Sequence, residues 1–237
     1  MKKYVNLFVF VFMIGACLSQ GRAQTKSAVS YKNPVVDIAM PDPTVIKAAD
    51  GYFYVYATES TRNVPIMKSK DLVEWTYCNT AFTNKTRPRF EPKAGIWAPD
   101  INYINGKYVL YYAMSVWGGE QTCGIGVATA NSPQGPFTDH GKMFRSNEIG
   151  VQNSIDPSLL QYEGRNYLVW GSFRGIYVIE LTADGLSIMP GAKKKRIAGT
   201  AFEAVYIHKH DDYYYMFASI GSCCQGVKST YKVVVGR

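Results

Sequence analysis

The sequence predicts an all-β fold of the β-propeller type, in which successive four-stranded sheets surround a common axis. Three observations carry this prediction. Four hairpin units with the same grammar recur along the chain. The acids that lead them stand 58, 56 and 47 residues apart, an interval that suits one propeller blade. No segment of helix length shows an apolar period of 3.6 residues.

Taken in order, the units begin PDPTVIKAADGYFYVYATES at Pro41, APDINYINGKYVLYYAMSV at Ala98, IDPSLLQYEGRNYLVWGSF at Ile155 and FEAVYIHKHDDYYYMFASI at Phe202. In each, an acid (Asp42, Asp100, Asp156, Glu203) opens a short apolar strand, a turn rich in Gly, Asp or Asn follows, and an aromatic strand returns. In the first unit residues 64–69 read as a third strand and 69–75 as the turn into a fourth. Residues 124–129 and 131–137 fill these places in the second unit. Residues 231–237 read as a third strand of the fourth blade. Inner strands of a propeller converge on its axis, so the four acids are expected to face one another across a central cavity. There, like charges and partial burial push carboxyl pKa values apart and permit acid and base roles at one pH. Asp100, beside Trp97-Ala98-Pro99, is the weakest member, since it could serve only to hold its own loop.

The 237 residues, 47% hydrophobic and 14% aromatic, suffice for a sizeable core and exclude a disordered chain. Residues 1–23 have the order of a secretory signal peptide: Met1-Lys2-Lys3, an apolar run from Leu7 to Cys17, then small and polar residues. Cleavage after Ala23 is favoured; the alternative is the lipobox-like stretch 14–17, with lipid attached through Cys17. No other run approaches the roughly 18 apolar residues needed to span a bilayer, so an exported protein, periplasmic or extracellular, is expected. Residues 24–237 then form one catalytic domain. The formal charge of +8 falls to +5 once Lys2, Lys3 and Arg22 are removed. Basic residues are scattered except for Lys193-Lys194-Lys195-Arg196, which reads as a solvated turn, and nucleic acid is excluded as a partner. Cys78, Cys123, Cys223 and Cys224 permit disulfides without revealing the pairing. A bond between adjacent Cys223 and Cys224 is disfavoured, because vicinal geometry is strained, and no Cys-x-x-Cys points to zinc or redox chemistry.

The segments MPDP (40–43), WAPDI (97–101), SIDPS (154–158) and FEA (202–204) resemble the motifs of glycoside hydrolase family 43, over nearly the whole chain after the leader. GSCCQGVKSTY (221–231) with WGS (170–172) most resembles its endo-α-1,5-L-arabinanase branch. The resemblance implies a five-bladed propeller, truncated here to about four blades, and an inverting, endo-acting hydrolase of α-1,5-L-arabinofuranosidic bonds. It implies Asp42 as general base, Glu203 as general acid and Asp156 as the group that raises the acid's pKa and orients it. An inverting site requires carboxyls about 6.5–9.5 Å apart, with room for water. Arabinan or a related plant cell-wall polysaccharide is the expected partner, and a monomer the expected state. Trp97 and Trp117 are read as stacking platforms for furanose rings, and Asn153 and Ser172 as hydrogen-bond donors to the sugar. The resemblance also implies a calcium ion in the central channel, for which this chain shows no ligands; His208 and His210 read as exposed turn residues. An exo-acting α-L-arabinofuranosidase or β-xylosidase on the same fold, and an inactive glycan-binding fragment, are the competing readings. A second departure from the family pattern is Glu203-Ala204, where many relatives have Glu-Gly-Pro.

Overall fold

Two-residue turns and alternating strands assemble into four antiparallel sheets, each a simple meander. The computed structural model describes residues 30–237, so the expected leader, its cleavage at Ala23 and lipid attachment at Cys17 lie outside the described residues. The first sheet runs β1 (Thr44–Lys47), β2 (Phe53–Tyr56), β3 (Pro65–Ser69) and β4 (Thr76–Thr80), and the second β5 (Gly95–Ile104), β6 (Lys107–Ser115), β7 (Gly124–Ala130) and β8 (Thr138–Arg145). The third runs β9 (Ser158–Tyr162), β10 (Arg165–Trp170), β11 (Ile176–Glu180) and β12 (Lys195–Ala198), and the fourth β13 (Glu203–His210), β14 (Tyr213–Ile220) and β15 (Lys232–Gly236). This is the propeller arrangement, with about four blades in the described residues. The turn chemistry accounts for the meanders: Asn105-Gly106, both left-handed at φ 48° and 81°, joins β5 to β6, as a primed two-residue hairpin requires. Helix among the described residues is confined to single turns at Ser146–Ile149 and Gly226–Lys228.

The core lies between sheets. Tyr54, Tyr56 and Ile66 of the first sheet meet Ile101, Leu110 and Tyr112 of the second, with Phe82 filling the layer edge-on to Tyr112. Tyr111, Ile125 and Phe144 of the second meet Leu168, Trp170 and Ile179 of the third. Only Val169, Ile176, Val205 and Ala218 are fully buried between the third and fourth. The basic run at 193–196 is exposed as expected, although Lys195 and Arg196 open β12 rather than form a turn. His208 and His210 are exposed on β13, next to its hairpin.

Two expectations are corrected. Trp97-Ala98-Pro99 is not a loop: it lies within β5, where a bulge separates the Trp97↔Ala113 and Asp100↔Tyr111 pairs. The same bulge separates Glu203↔Ser219 from Tyr206↔Phe217 in β13. At its centre stand Ala98 (φ 40°) and Ala204 (φ 50°), and in the first and third units Asp42 (φ 48°) and Asp156 (φ 57°), all left-handed. The four leading acids are therefore not equivalent. Asp42 and Asp156 share the left-handed position with Ala98 and Ala204. Glu203 stands one residue earlier, equivalent to Trp97, and Asp100 two residues later, equivalent to Thr44 and Ser158.

Candidate active site

The inner-strand openings converge on one cavity of about 950 Å³, lined by all seven residues singled out in the sequence: Asp42, Trp97, Trp117, Asn153, Asp156, Ser172 and Glu203. Asp42 is exposed to this cavity at the left-handed turn before β1. The Thr58 hydroxyl, at the end of the first hairpin, donates to Asp42 Oδ2 and accepts the Ala98 amide at 2.7 Å. The Asp42 carboxylate is thereby tied to the second sheet. Sequence reasoning missed Thr58, because a lone threonine after an aromatic strand carries no signal of its own.

Glu203 opens β13, and Ser172 donates to its Oε2 at 2.6 Å across the seam from the third sheet. Ser172 itself is placed by Gly171, whose φ of 131° and close approach admit no side chain: a Cβ there would meet the Gly175 carbonyl oxygen at 2.2 Å. The Ser172 hydroxyl thus donates its hydrogen to Glu203 while still lining the cavity. Asn153 lines the cavity beside it. Its amide donates to the Ser172 carbonyl at 3.1 Å, so it holds the segment that holds Glu203. The Tyr231 hydroxyl faces Glu203 and Ser219 from the loop before β15, and burial together with the Glu203 charge pushes its pKa well up.

Asp156 lines the same cavity, near enough to both other acids to feel their charges. Withdrawal from bulk water, then the charges of Glu203 and Asp42, push its carboxyl well above the usual range, against the opposing effect of the Ala204 amide. Asp100 forms part of the cavity floor and is fully buried; desolvation lifts it to about 6 even though Asn102, the Leu159 amide and Thr44 all donate to it.

Trp117 stands 79% exposed on the rim, with its ring 5.5 Å from that of the half-buried Trp97, which packs on Ala113, Cys123 and Ile155. Trp117 is the more exposed of the two rings, and Trp97 packs into the wall. Beside them Glu120 is gripped by Arg174 through two nitrogens, at 3.0 and 2.9 Å, and by Gln152 at 2.6 Å. Another tie missed by the sequence is Glu59, which receives the Arg87 guanidinium and the Asn63 and Ile96 amides; burial pushes its pKa up, but these donors outweigh it and hold the carboxyl low. Cys223 and Cys224, which line the cavity, are bonded to each other, contrary to expectation. Cys224 is left-handed at φ 68°, in a tight loop closed by mutual bonds between Ser222 and Thr230, and that turn brings the two sulfurs together.

Calcium finds no shell of side chains among the described residues. Among the described residues no three His, Cys, Asp or Glu side chains converge as metal ligands. The cavity carboxylates already have donors: Thr58 for Asp42, Ser172 for Glu203, and Asn102 with the Leu159 amide for Asp100. The residues present do not fit an ion coordinated directly by these side chains, and no chemistry is derived through one.

The family model of glycosyl hydrolases family 43 matches residues 31–237. The chain belongs to glycosyl hydrolase family 43. It is 37% identical over 210 residues to the extracellular endo-α-(1→5)-L-arabinanase 1 of Bacillus subtilis, covering 83% of this chain and 64% of that protein. It is 34% identical to an extracellular exo-α-(1→5)-L-arabinofuranosidase of Cellvibrio japonicus, over 83% of this chain and 63% of that one. The solved structure of a Cellvibrio cellulosa α-L-arabinanase complexed with arabinohexaose superposes with a TM-score of 0.74 at 30% identity, over 84% of this chain and 70% of that chain. This family 43 chain thus spans just under two thirds of the length of the two curated relatives.

Proposed function

We propose that this family 43 chain is an exported, inverting glycosidase that cleaves α-1,5-linked arabinofuranosyl bonds within arabinan. One observation carries the reading: three inner strands from three sheets deliver Asp42, Asp156 and Glu203 to a single cavity with an aromatic rim. Asp42, exposed to the cavity and held by Thr58, takes a proton from the water that attacks the anomeric carbon. Glu203, oriented by Ser172, protonates the departing oxygen. Asp156 resists ionisation beside them, so the Asp156–Glu203 pair retains a proton where the leaving group needs one. Trp117 offers its face to a furanose ring at the rim. Export is supported by the signal-like residues 1–23 and by the extracellular relatives, and no described helix is long and apolar enough to cross a membrane.

The test is product analysis on linear α-1,5-arabinan and on xylan, with Asp42→Asn and Glu203→Gln beside the unaltered chain. Short arabino-oligosaccharides of inverted anomeric configuration are expected, with rates falling about 10²–10⁴-fold in either variant. Release of arabinose alone would replace the endo reading with the exo one. No cleavage of either polysaccharide, with arabinan still bound, would leave a glycan-binding propeller.

A further inference from the structure

Asp100 is the one acid of the four units that this chemistry leaves unused, and it is also the most deeply buried. No cation lies within ion-pair distance of it among the described residues. Its bonds reach three sheets. Oδ2 accepts the Leu159 amide of β9 at 2.8 Å and the Asn102 side-chain amide of its own strand at 2.7 Å, while Oδ1 accepts the Thr44 hydroxyl of β1 at 3.4 Å. Thr44 Oγ1 in turn accepts the Ile101 amide of β5 at 3.3 Å. Ser158, at the equivalent place in β9, donates to the Val205 carbonyl of β13 at 2.6 Å.

The side chain two residues after each left-handed turn therefore binds the inner strand of the next sheet: Thr44 to the second, Asp100 to the third, Ser158 to the fourth. Asp100 alone also reaches backwards. Its two foreign partners follow closely on reacting carboxyls, Thr44 two residues after Asp42 and Leu159 three after Asp156. A group that bonds both strands at those points sets how far apart the two carboxyls sit.

We propose that Asp100 is a positioning residue for the hydrolase described above, bonding the Asp42 strand to the Asp156 strand beneath the cavity and holding them in register through its ionised carboxylate. The proposal rests on that hydrolase reading for its kinetic consequence but not for the tie itself. An ionised carboxylate accepts all three bonds, whereas a protonated one has a hydrogen on one oxygen and must release or reverse one of them. The groups facing Asp100 are the Thr44 hydroxyl from β1, the Asn102 amide from β5, the Tyr111 phenol from β6, the Leu159 amide from β9 and the Tyr206 phenol from β13. Burial, then the charge of Asp100, pushes both phenols upward, so they stay neutral near pH 6 and, of the groups facing Asp100, none other titrates there. As pH falls through about 6 one of these bonds is released or reversed.

The experiment follows the Leu159 amide of the whole chain by ¹H–¹⁵N NMR from about pH 4.5 to about 7.5, alongside kcat and KM on arabinan over the same range. The expected result is a Leu159 proton shift that titrates with a midpoint near 6. In Asp100→Asn that shift is flat and kcat falls at least tenfold with KM changed less than about threefold, because an interaction that orients reacting groups acts on the chemical step. Ser158→Ala, which removes a tie of the same kind elsewhere, leaves the Leu159 titration in place. A flat Leu159 shift in the unaltered chain overturns the tie whatever the activity, and an Asp100→Asn enzyme with wild-type kcat and an unaltered acid limb overturns the positioning role. A chain that titrates at Leu159 but cleaves no arabinan overturns the hydrolase reading and leaves the tie standing.

Discussion

The seam between the first and second sheets and the seam between the third and fourth do comparable work with different materials. Each carries one hydroxyl that bridges a carboxylate to the neighbouring sheet: Thr58 between Asp42 and Ala98, and Ser172 to Glu203. Behind the first stands a thick layer of fully buried Tyr54, Tyr56, Ile66, Phe82, Leu110 and Tyr112. Behind the second stand only four buried aliphatic side chains, flanked by half-buried ones such as Leu160, Phe202 and Met216, and the fourth sheet shows Phe217, Val233 and Val235 to solvent. Apolar mass fixes the Asp42 side. The Glu203 side depends on polar ties, namely Ser172 to Glu203, Ser158 to the Val205 carbonyl, and the Phe173 amide to the Phe202 carbonyl.

The comparison breaks most readily in the cores. Tyr112→Ala, which removes a ring set edge-on to Phe82 and stacked on Phe90, should cost about 3–5 kcal/mol in urea unfolding. Val205→Ala in the thin seam should cost about 1.5 kcal/mol, the loss of two buried carbons. Equal costs would mean that the two seams are equally cohesive. Ser172→Ala sharpens the contrast on the Glu203 side. Loss of the bond that orients the Glu203 carboxyl should lower kcat on arabinan about tenfold, while urea stability falls by about 0.5–1.5 kcal/mol, the net worth of one hydrogen bond. A stability loss with unchanged kcat would show that Ser172 serves the seam and not the carboxylate. The smallest effect concerns Cys223–Cys224. A bond between adjacent residues closes almost no loop, so a reductant should shift unfolding by under about 1.5 kcal/mol, against about 3 for a fifteen-residue loop. A larger shift on adding reductant would mean that this loop holds the fourth sheet together.

The meander, its hairpins and the blade interval were legible because turn residues and two-residue alternation are written directly in the chain. So was the gathering of Asp42, Asp156 and Glu203. The register of the acids was not. Counting acids placed Asp100 and Glu203 level with Asp42, whereas the bulge that aligns the sheets is centred on Ala98 and Ala204, residues without any compositional mark. The usable signal was the dipeptide that ends in proline at 42–43, 98–99 and 156–157: a bulge leaves the next N–H without a ladder partner, and proline has none to leave. Ser172 and Asn153 were found as cavity residues, but their bonds to Glu203 and to the Ser172 carbonyl were not legible, because sequence shows which hydroxyls and amides lie near an acid and not which one it has engaged. The bond between Cys223 and Cys224 escaped for a related reason: a left-handed turn that joins neighbouring sulfurs is a property of the loop and not of the pair.

The left-handed bulge also makes this fold a scaffold with interchangeable sockets. Asp and Asn tolerate positive φ better than other residues with a Cβ, so at 42 and 156 one residue type satisfies both backbone and chemistry. Ala98 and Ala204 occupy the same socket with a side chain that earns nothing from the conformation, at about 1–2 kcal/mol each. An aspartate installed at either would suit the backbone better than the residue it replaces, so a designer could add a carboxylate to this ring without first remaking the turn that holds it.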